Sequence, residues 1–260
     1  MKTTLEAEQY LRSYGVCDPT HIDLEALAWT MGVPVKFRTL DSCEAKIVGV
    51  GDRAIITVDD RFGEQRARFS LAHEIGHWCR HRGQVLFCDK KDIGTTKSSA
   101  SHKEREADFF AAELLMPRYL FLPELRSFGS PSFQSISSLA TSFGISRKAA
   151  ALRFVDLYPG KCMLVFLGRN GRKWHRASAH WSKDWIPKKE AEPRSRVRDL
   201  IFGAEGHRQV SSTFSADALF GQWDAKTYNV ICHSIVVGGS DHRATREVMT
   251  LIFSENEHAF

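Results

Sequence analysis

The sequence predicts an α+β protein, and three observations carry that expectation. Apolar residues recur at helical spacing over 4–14 and 22–32, the second run opening after Pro19-Thr20 and closing at Gly32. Strand-like runs follow at 33–37, 45–50 and 54–58, separated by Asp-Ser and Gly-Asp turn signals, so a small sheet precedes the central helices. Beyond Cys162, runs at 163–168 and 172–179 flank Asn170-Gly171, a hairpin signal, and strands over 228–237 and 246–253 close the chain. With 260 residues, 43% hydrophobic and 26% charged, the composition is that of a folded globular protein of one large or two smaller domains.

Further along, a polar stretch at 84–101 reads as a loop joining two helices and able to line or cover a cleft between them. Residues 132–157 read as two helices with a turn at Gly144 and a new cap at Ser146, a helix-turn-helix shape. Arg147, Lys148 and Arg153 on its second helix would suit DNA phosphates, although two short helices packed on a core give the same pattern. A basic, Pro-containing stretch from Trp185 to Arg198 leads into helical spacing near 197–202 and 216–223. The expected organisation is thus a first domain over 1–120, a helix-turn-helix-like segment over 121–159 and a C-terminal α+β domain over 160–260.

The formal net charge of +5 is compatible with an acidic or nucleic-acid partner and demands neither. The start lacks the apolar core of a signal peptide and no apolar run reaches the ~18 residues of a membrane span, so a cytosolic protein with no membrane partner is expected. Six scattered cysteines without a CxxC pair read as free thiols, and Cys79, two residues after His77, reads as a packed thiol on the far side of its helix. His175, His180, His207, His233 and His242 are dispersed and read as structural or surface residues.

Chemistry concentrates between Arg66 and Pro117. His73-Glu74-Ile75-Gly76-His77 matches H-E-x-x-H: on a helix, residues four apart lie about 40° apart around the axis, so His73 and His77 can reach one metal ion. Glu74 flanks that face and is not needed as a ligand, which leaves its carboxylate free to act as a base. In the segment 104–117, projection at about 100° per residue groups Glu104 with Ala107, Asp108, Ala111, Ala112, Leu114 and Leu115, and puts Glu106 and Glu113 on the opposite, solvent-facing side. Glu104 is therefore the expected third ligand, and Asp108 is placed to accept the other ring N–H of a ligand histidine. Two His, one Glu and an open fourth position are the donor set of a catalytic zinc site.

The run from Arg66 to His77, followed by Glu104-x-Glu106-Ala107-Asp108-x-Phe110-Ala111-Ala112-Glu113-Leu114-Leu115-Met116-Pro117, resembles the ImmA/IrrE family of bacterial metallopeptidases over the N-terminal ~160 residues. Many members have Asn where this chain has Asp108. The resemblance implies a zincin-like core with one catalytic Zn2+, held by the first Glu of the second motif together with the two histidines. It implies a second oxyanion donor as well, for which Tyr119, His81, His102 and the arginines before His73 are all candidates. In metallopeptidases of this type an edge strand holds the substrate in extended form, and Ile55, Ile56, Thr57 and Val58 are the expected strand. The C-terminal region is expected to be a sensor-like module, GAF- or PAS-like as in some members.

For the substrate, the resemblance implies an XRE-type helix-turn-helix repressor whose limited cleavage derepresses stress-response or mobile-element genes. DNA is not expected to be the primary partner. The competing readings are a zinc-containing DNA- or protein-binding regulator without peptidase activity, which an intact Glu74 disfavours, and the toxin of a toxin–antitoxin pair.

Overall fold

The computed structural model describes residues 2–41, 43–82, 99–190, 196–202, 208–237 and 246–254. The chain divides into two compact units, one formed by residues 1–124 with 139–146 and the other by 125–138 with 147–260.

The first unit opens with helices α1 (Lys2–Ser13) and α2 (Leu24–Thr30), the latter capped by Asp23, whose carboxylate accepts from Ala26 N–H at 2.9 Å. Strands β1 (Val35–Phe37), β2 (Ala45–Val50) and β3 (Arg53–Val58) follow. They form a sheet in the order β1-β3-β2, with β1 parallel and β2 antiparallel to β3. One face of β3 is buried through Ala54, Ile56 and Val58. Two long helices follow: α3 (Glu64–His81), which packs on the sheet, and α4 (Ser99–Leu115), which packs on α3. The loop expected over 84–101 lies outside the described residues apart from the first turn of α4.

Helix α5 (Arg118–Ser127) continues from α4 with Pro123 inside it, and α6 (Phe133–Ser142) and α7 (Arg147–Leu157) follow around a turn where Gly144 takes φ 60°. The helix-turn-helix shape is present, but 121–159 is not a unit of its own. The turn residues belong to the first unit, where Phe143 is buried against Phe121 with ring centroids 5.1 Å apart. Helix α7 belongs to the second unit and packs on its sheet. The core that each helix buries decides its allegiance, and a sequence boundary does not capture that.

The second unit is built on β4 (Cys162–Gly168), β5 (Gly171–Ala177), the short α8 (Val197–Phe202), β6 (Gln209–Ser215), β7 (Asn229–Val237) and β8 (Glu247–Phe253). The strands form one antiparallel sheet in the order β5-β4-β8-β7-β6. Every residue of β4 is buried, because α7 covers one face while Trp181, Trp185, α8 and Phe220 cover the other. Strand β6 was not expected: its Ser- and Thr-rich sequence lacks a strand's apolar run, and it is an edge strand held by its pairing with β7. The helix expected over 216–223 is only the 3-10 turn Ala216–Ala218.

The contact that positions the candidate site is the approach of α3 to α4. A Cβ on Gly76 would stand 3.0 Å from the carbonyl oxygen of Ala107 and 3.3 Å from Cβ of Phe110. Glycine relieves the crowding that a side chain would cause at this close approach. Alanine here would gain about 1 kcal/mol of helix propensity, similar in size to its overpacking penalty, so valine is the cleaner test. Gly76→Val is expected to destabilise the protein by about 1–3 kcal/mol, read from its denaturant midpoint, and an unchanged midpoint would mean that the helices do not meet here.

Candidate metal centre

Helix α3 begins just after a staple at the end of β3. Asp59, 1% exposed, accepts from Leu40 N–H at 2.9 Å and from the Arg61 guanidinium, fixing where the chain leaves the sheet. From there the helix runs 18 residues, carrying His73 and His77 one turn apart on the side that meets α4. His73, His77 and Glu104 are 2%, 1% and 5% exposed. Their ligand atoms converge: His77 Nε2 lies 3.0 Å from His73 Nε2, His73 Nε2 lies 3.1 Å from Glu104 Oε2, and His77 Nε2 lies 3.3 Å from Glu104 Oε1. Among the described residues this is the group of His, Cys, Asp and Glu side chains able to hold one ion.

The donor set fits zinc. Ligand bonds of about 2.0–2.1 Å in a tetrahedron place neighbouring donors about 3.3 Å apart, close to these three separations. Two imidazole nitrogens 3.0 Å apart repel when their lone pairs face each other, and a cation between them relieves that crowding. Burial pushes the Glu104 carboxyl up, but the facing His73 and His77 rings outweigh it and bring it down to about 2, so it is ionised and ready to ligate. Behind His73, Nδ1–H donates to Asp108 Oδ1 at 2.9 Å, leaving Nε2 for the metal side.

Glu74 differs from Glu104 in every respect. It is 2% exposed and its Oε2 is buried with no hydrogen-bond partner. The backbone of Ile47 on β2 lies close enough to this carboxylate to lower its pKa slightly. Burial raises its pKa to about 7, with the neighbouring His73 lowering it and Glu104 raising it. A carboxylate that titrates near neutrality beside a metal donor set is matched to proton transfer.

Residues 28–155 match the sequence profile of the peptidase family M78, the IrrE N-terminal-like domain. This stretch is similar to an IrrE N-terminal-like domain. A solved structure described as a Mycobacterium tuberculosis transcriptional regulator matches with a TM-score of 0.65 at 14% identity, covering 97% of this chain and 76% of that one, a likeness of fold. No curated protein matches the chain.

Within the IrrE-like domain the structure corrects several expectations. Strand β3, with Ile55, Ile56, Thr57 and Val58, is the central strand, hydrogen-bonded on both sides, and cannot accept an added strand. The edge beside Glu74 is β2. Asp59 N–H donates to Glu44 C=O, so in this antiparallel ladder residues 44, 46, 48 and 50 face β3, while the main-chain groups of Ala45, Ile47 and Gly49 face outward. Glu106 and Glu113 are not on a solvent-facing side: Glu113 is 2% exposed, and the Glu106 carboxylate meets His81 at 3.1 Å. Helix α4 is covered by α1 as well as by α3, so it has no single wet face.

Of the oxyanion candidates, Tyr119 donates to Val16 C=O at 2.6 Å, Arg66 pairs with Glu44, and Arg68 reaches towards Ile22 C=O. His102 lies beside Glu106, and His81 sits behind His77. These contacts direct none of them at the point where the three ligand atoms converge. Cys79 lies against Met31, and burial pushes its thiol up to about 12, so it is neither ligand nor reactive thiol. In the second unit, Arg153 is 8% exposed, and Lys148 lies over the rings of Phe166 and Trp174 at 5.3 and 5.6 Å. Helix α7 buries Ala150, Ala151, Phe154 and Val155 around much of its girth, which leaves only Arg147 of the three expected phosphate contacts unengaged.

The raised Glu74 pKa has a consequence in the metal-free protein. Its folded value of about 7 exceeds the ordinary glutamate value of 4.5, so the folded state holds the proton more tightly and ionisation opposes folding. The penalty is small below pH 4.5, grows between 4.5 and 7, and is complete above 7. Glu74→Gln removes it, so the variant's stability advantage should widen from about 1 kcal/mol at pH 5 to on the order of 3 kcal/mol at pH 8. Denaturant midpoints at the two pH values check this, and a constant difference would contradict it.

Proposed function

We propose that the chain is a zinc-dependent metalloendopeptidase that cuts an XRE-type helix-turn-helix repressor at a specific bond, relieving repression of stress-response or mobile-element genes. The observation that carries the peptidase reading is the orphaned, buried Oε2 of Glu74 beside three converged metal donors. A metal that only braced the fold would need no such group and would have a fourth protein ligand.

His73, His77 and Glu104 would hold the ion, which when bound lowers the pKa of a water and polarises a carbonyl. Glu74 takes the proton of the attacking water on Oε2 and passes it to the departing amine. The outward main-chain groups along β2 can pair with a substrate in extended form, bringing it past Glu74. The repressor as substrate rests on the family resemblance, together with the likeness to a protein described as a transcriptional regulator. In this reading the second unit is a sensor-like module that governs the first.

The test is cleavage of the XRE-type repressor encoded beside the gene. Wild type should cut one bond in a zinc-dependent manner, and Glu74→Gln should retain zinc while losing about 100-fold or more of the rate. Equal cleavage by the variant would remove Glu74 as the base. Bound zinc with no cleavage of this substrate would favour the binding-regulator reading.

A further inference from the structure

His81 is the third histidine in a series on α3, spaced i, i+4 and i+8 from His73, and it is 4% exposed. Its Nδ1 lies 3.1 Å from Nδ1 of His77, and its Nε2 lies 3.1 Å from Oε2 of Glu106. The direction of this chain of contacts follows from its far end. A carboxylate accepts and does not donate, so the His81 proton sits on Nε2 and its Nδ1 carries a lone pair. That lone pair accepts from His77 Nδ1–H. The only arrangement of neutral rings left for His77 puts its own lone pair on Nε2, the atom 3.3 Å from Glu104 Oε1 and 3.0 Å from His73 Nε2.

We propose that His81 is a positioning residue: it sets the tautomer and ring orientation of the metal ligand His77 by relaying the pull of the Glu106 carboxylate through its imidazole. The inference rests on the metal-site reading above and adds to it a second support of a different kind. His73 is oriented directly by Asp108 at 2.9 Å, whereas the carboxylate that orients His77 stands one ring further away. The outer end of the relay is itself anchored. Arg80 reaches Glu106 at 3.7 Å and also pairs with Glu6 on α1, and His102 Nδ1 lies 3.5 Å from Glu106 Oε2. Glu106 is thereby tied into a network joining α1, α3 and α4, and movement of those helices would reach the metal ligand through two hydrogen bonds. Outer partners of ligand histidines are worth about 10–100-fold in metal affinity.

The experiment uses the full chain with His81→Ala, His81→Asn and Glu106→Ala. It reads zinc affinity by competition with a chromophoric chelator, and the His77 protonation site by long-range 15N–1H correlation in the metal-free protein at pH 8. His81→Ala should weaken zinc binding 10–100-fold and move the His77 proton from Nδ1 to Nε2. His81→Asn should recover most of the affinity, because its amide oxygen can accept from His77 Nδ1–H. Glu106→Ala, at a partly exposed position, should lose less than His81→Ala and fold normally. Wild-type affinity in His81→Ala with the His77 proton still on Nδ1 overturns the proposal, as does His81→Asn behaving like His81→Ala, which would make the loss one of packing. If the wild-type protein binds no zinc, the peptidase reading fails, while the proton position in the metal-free variants still decides whether the relay exists.

Discussion

The structure of the first unit depends on three polar groups that are buried where polar groups are least welcome. His73, His77 and Glu104 are almost fully enclosed at the meeting of α3 and α4, and their donor atoms crowd within hydrogen-bonding distance of one another. Enclosure on that scale is unfavourable unless each group is paired, and a divalent cation pairs all three at once. The helices must therefore come close enough for a glutamate on one to share an ion with histidines on the other. Gly76, inside the H-E-x-x-H motif, makes that approach sterically feasible. The same motif thus supplies ligands, base and the gap through which the second helix reaches them.

Two glutamates within this small space have been driven apart in acidity by their partners. Glu104 faces two imidazoles and is held ionised at about 2, whereas Glu74 is buried with Oε2 on no hydrogen-bond partner and rises to about 7. Divergent environments for paired titratable groups are how acid–base roles are assigned at neutral pH. One glutamate is fitted to hold a cation and the other to exchange a proton. Strand β2 borders this arrangement, with Ile47 close to the base and its unpaired edge facing away from β3.

The ligands were legible in the sequence because helical periodicity fixes which side chains share a face: His73 with His77, and Glu104 with the apolar stripe of α4. That logic failed for Glu106 and Glu113, which a single-face projection sends to solvent. It failed because α4 is buried from two directions, a fact of tertiary packing that no one-helix periodicity contains. His81 was visible as another i+4 step from His77, but its meaning lay in a contact with Glu106 about 25 residues away. Sheet order was illegible for a similar reason. Three short strands say nothing about which one lies in the middle, and β1 pairs in parallel with β3 across the sheet, displacing β3 from the edge. In the second unit, positive charge on α7 was visible, yet the fate of Arg153 and Lys148 depended on a sheet that comes later in the chain.

The central claim is that the two histidines and Glu104 make an open, catalytic type of zinc site. X-ray absorption at the zinc edge on the zinc-loaded full chain tests it most directly. The account predicts one ion per chain, bound by two imidazoles, one carboxylate and one exchangeable oxygen, with nitrogen and oxygen distances of about 2.0–2.2 Å and no sulfur. A zinc–sulfur shell at about 2.3 Å, or a coordination sphere closed by four protein ligands, would contradict it.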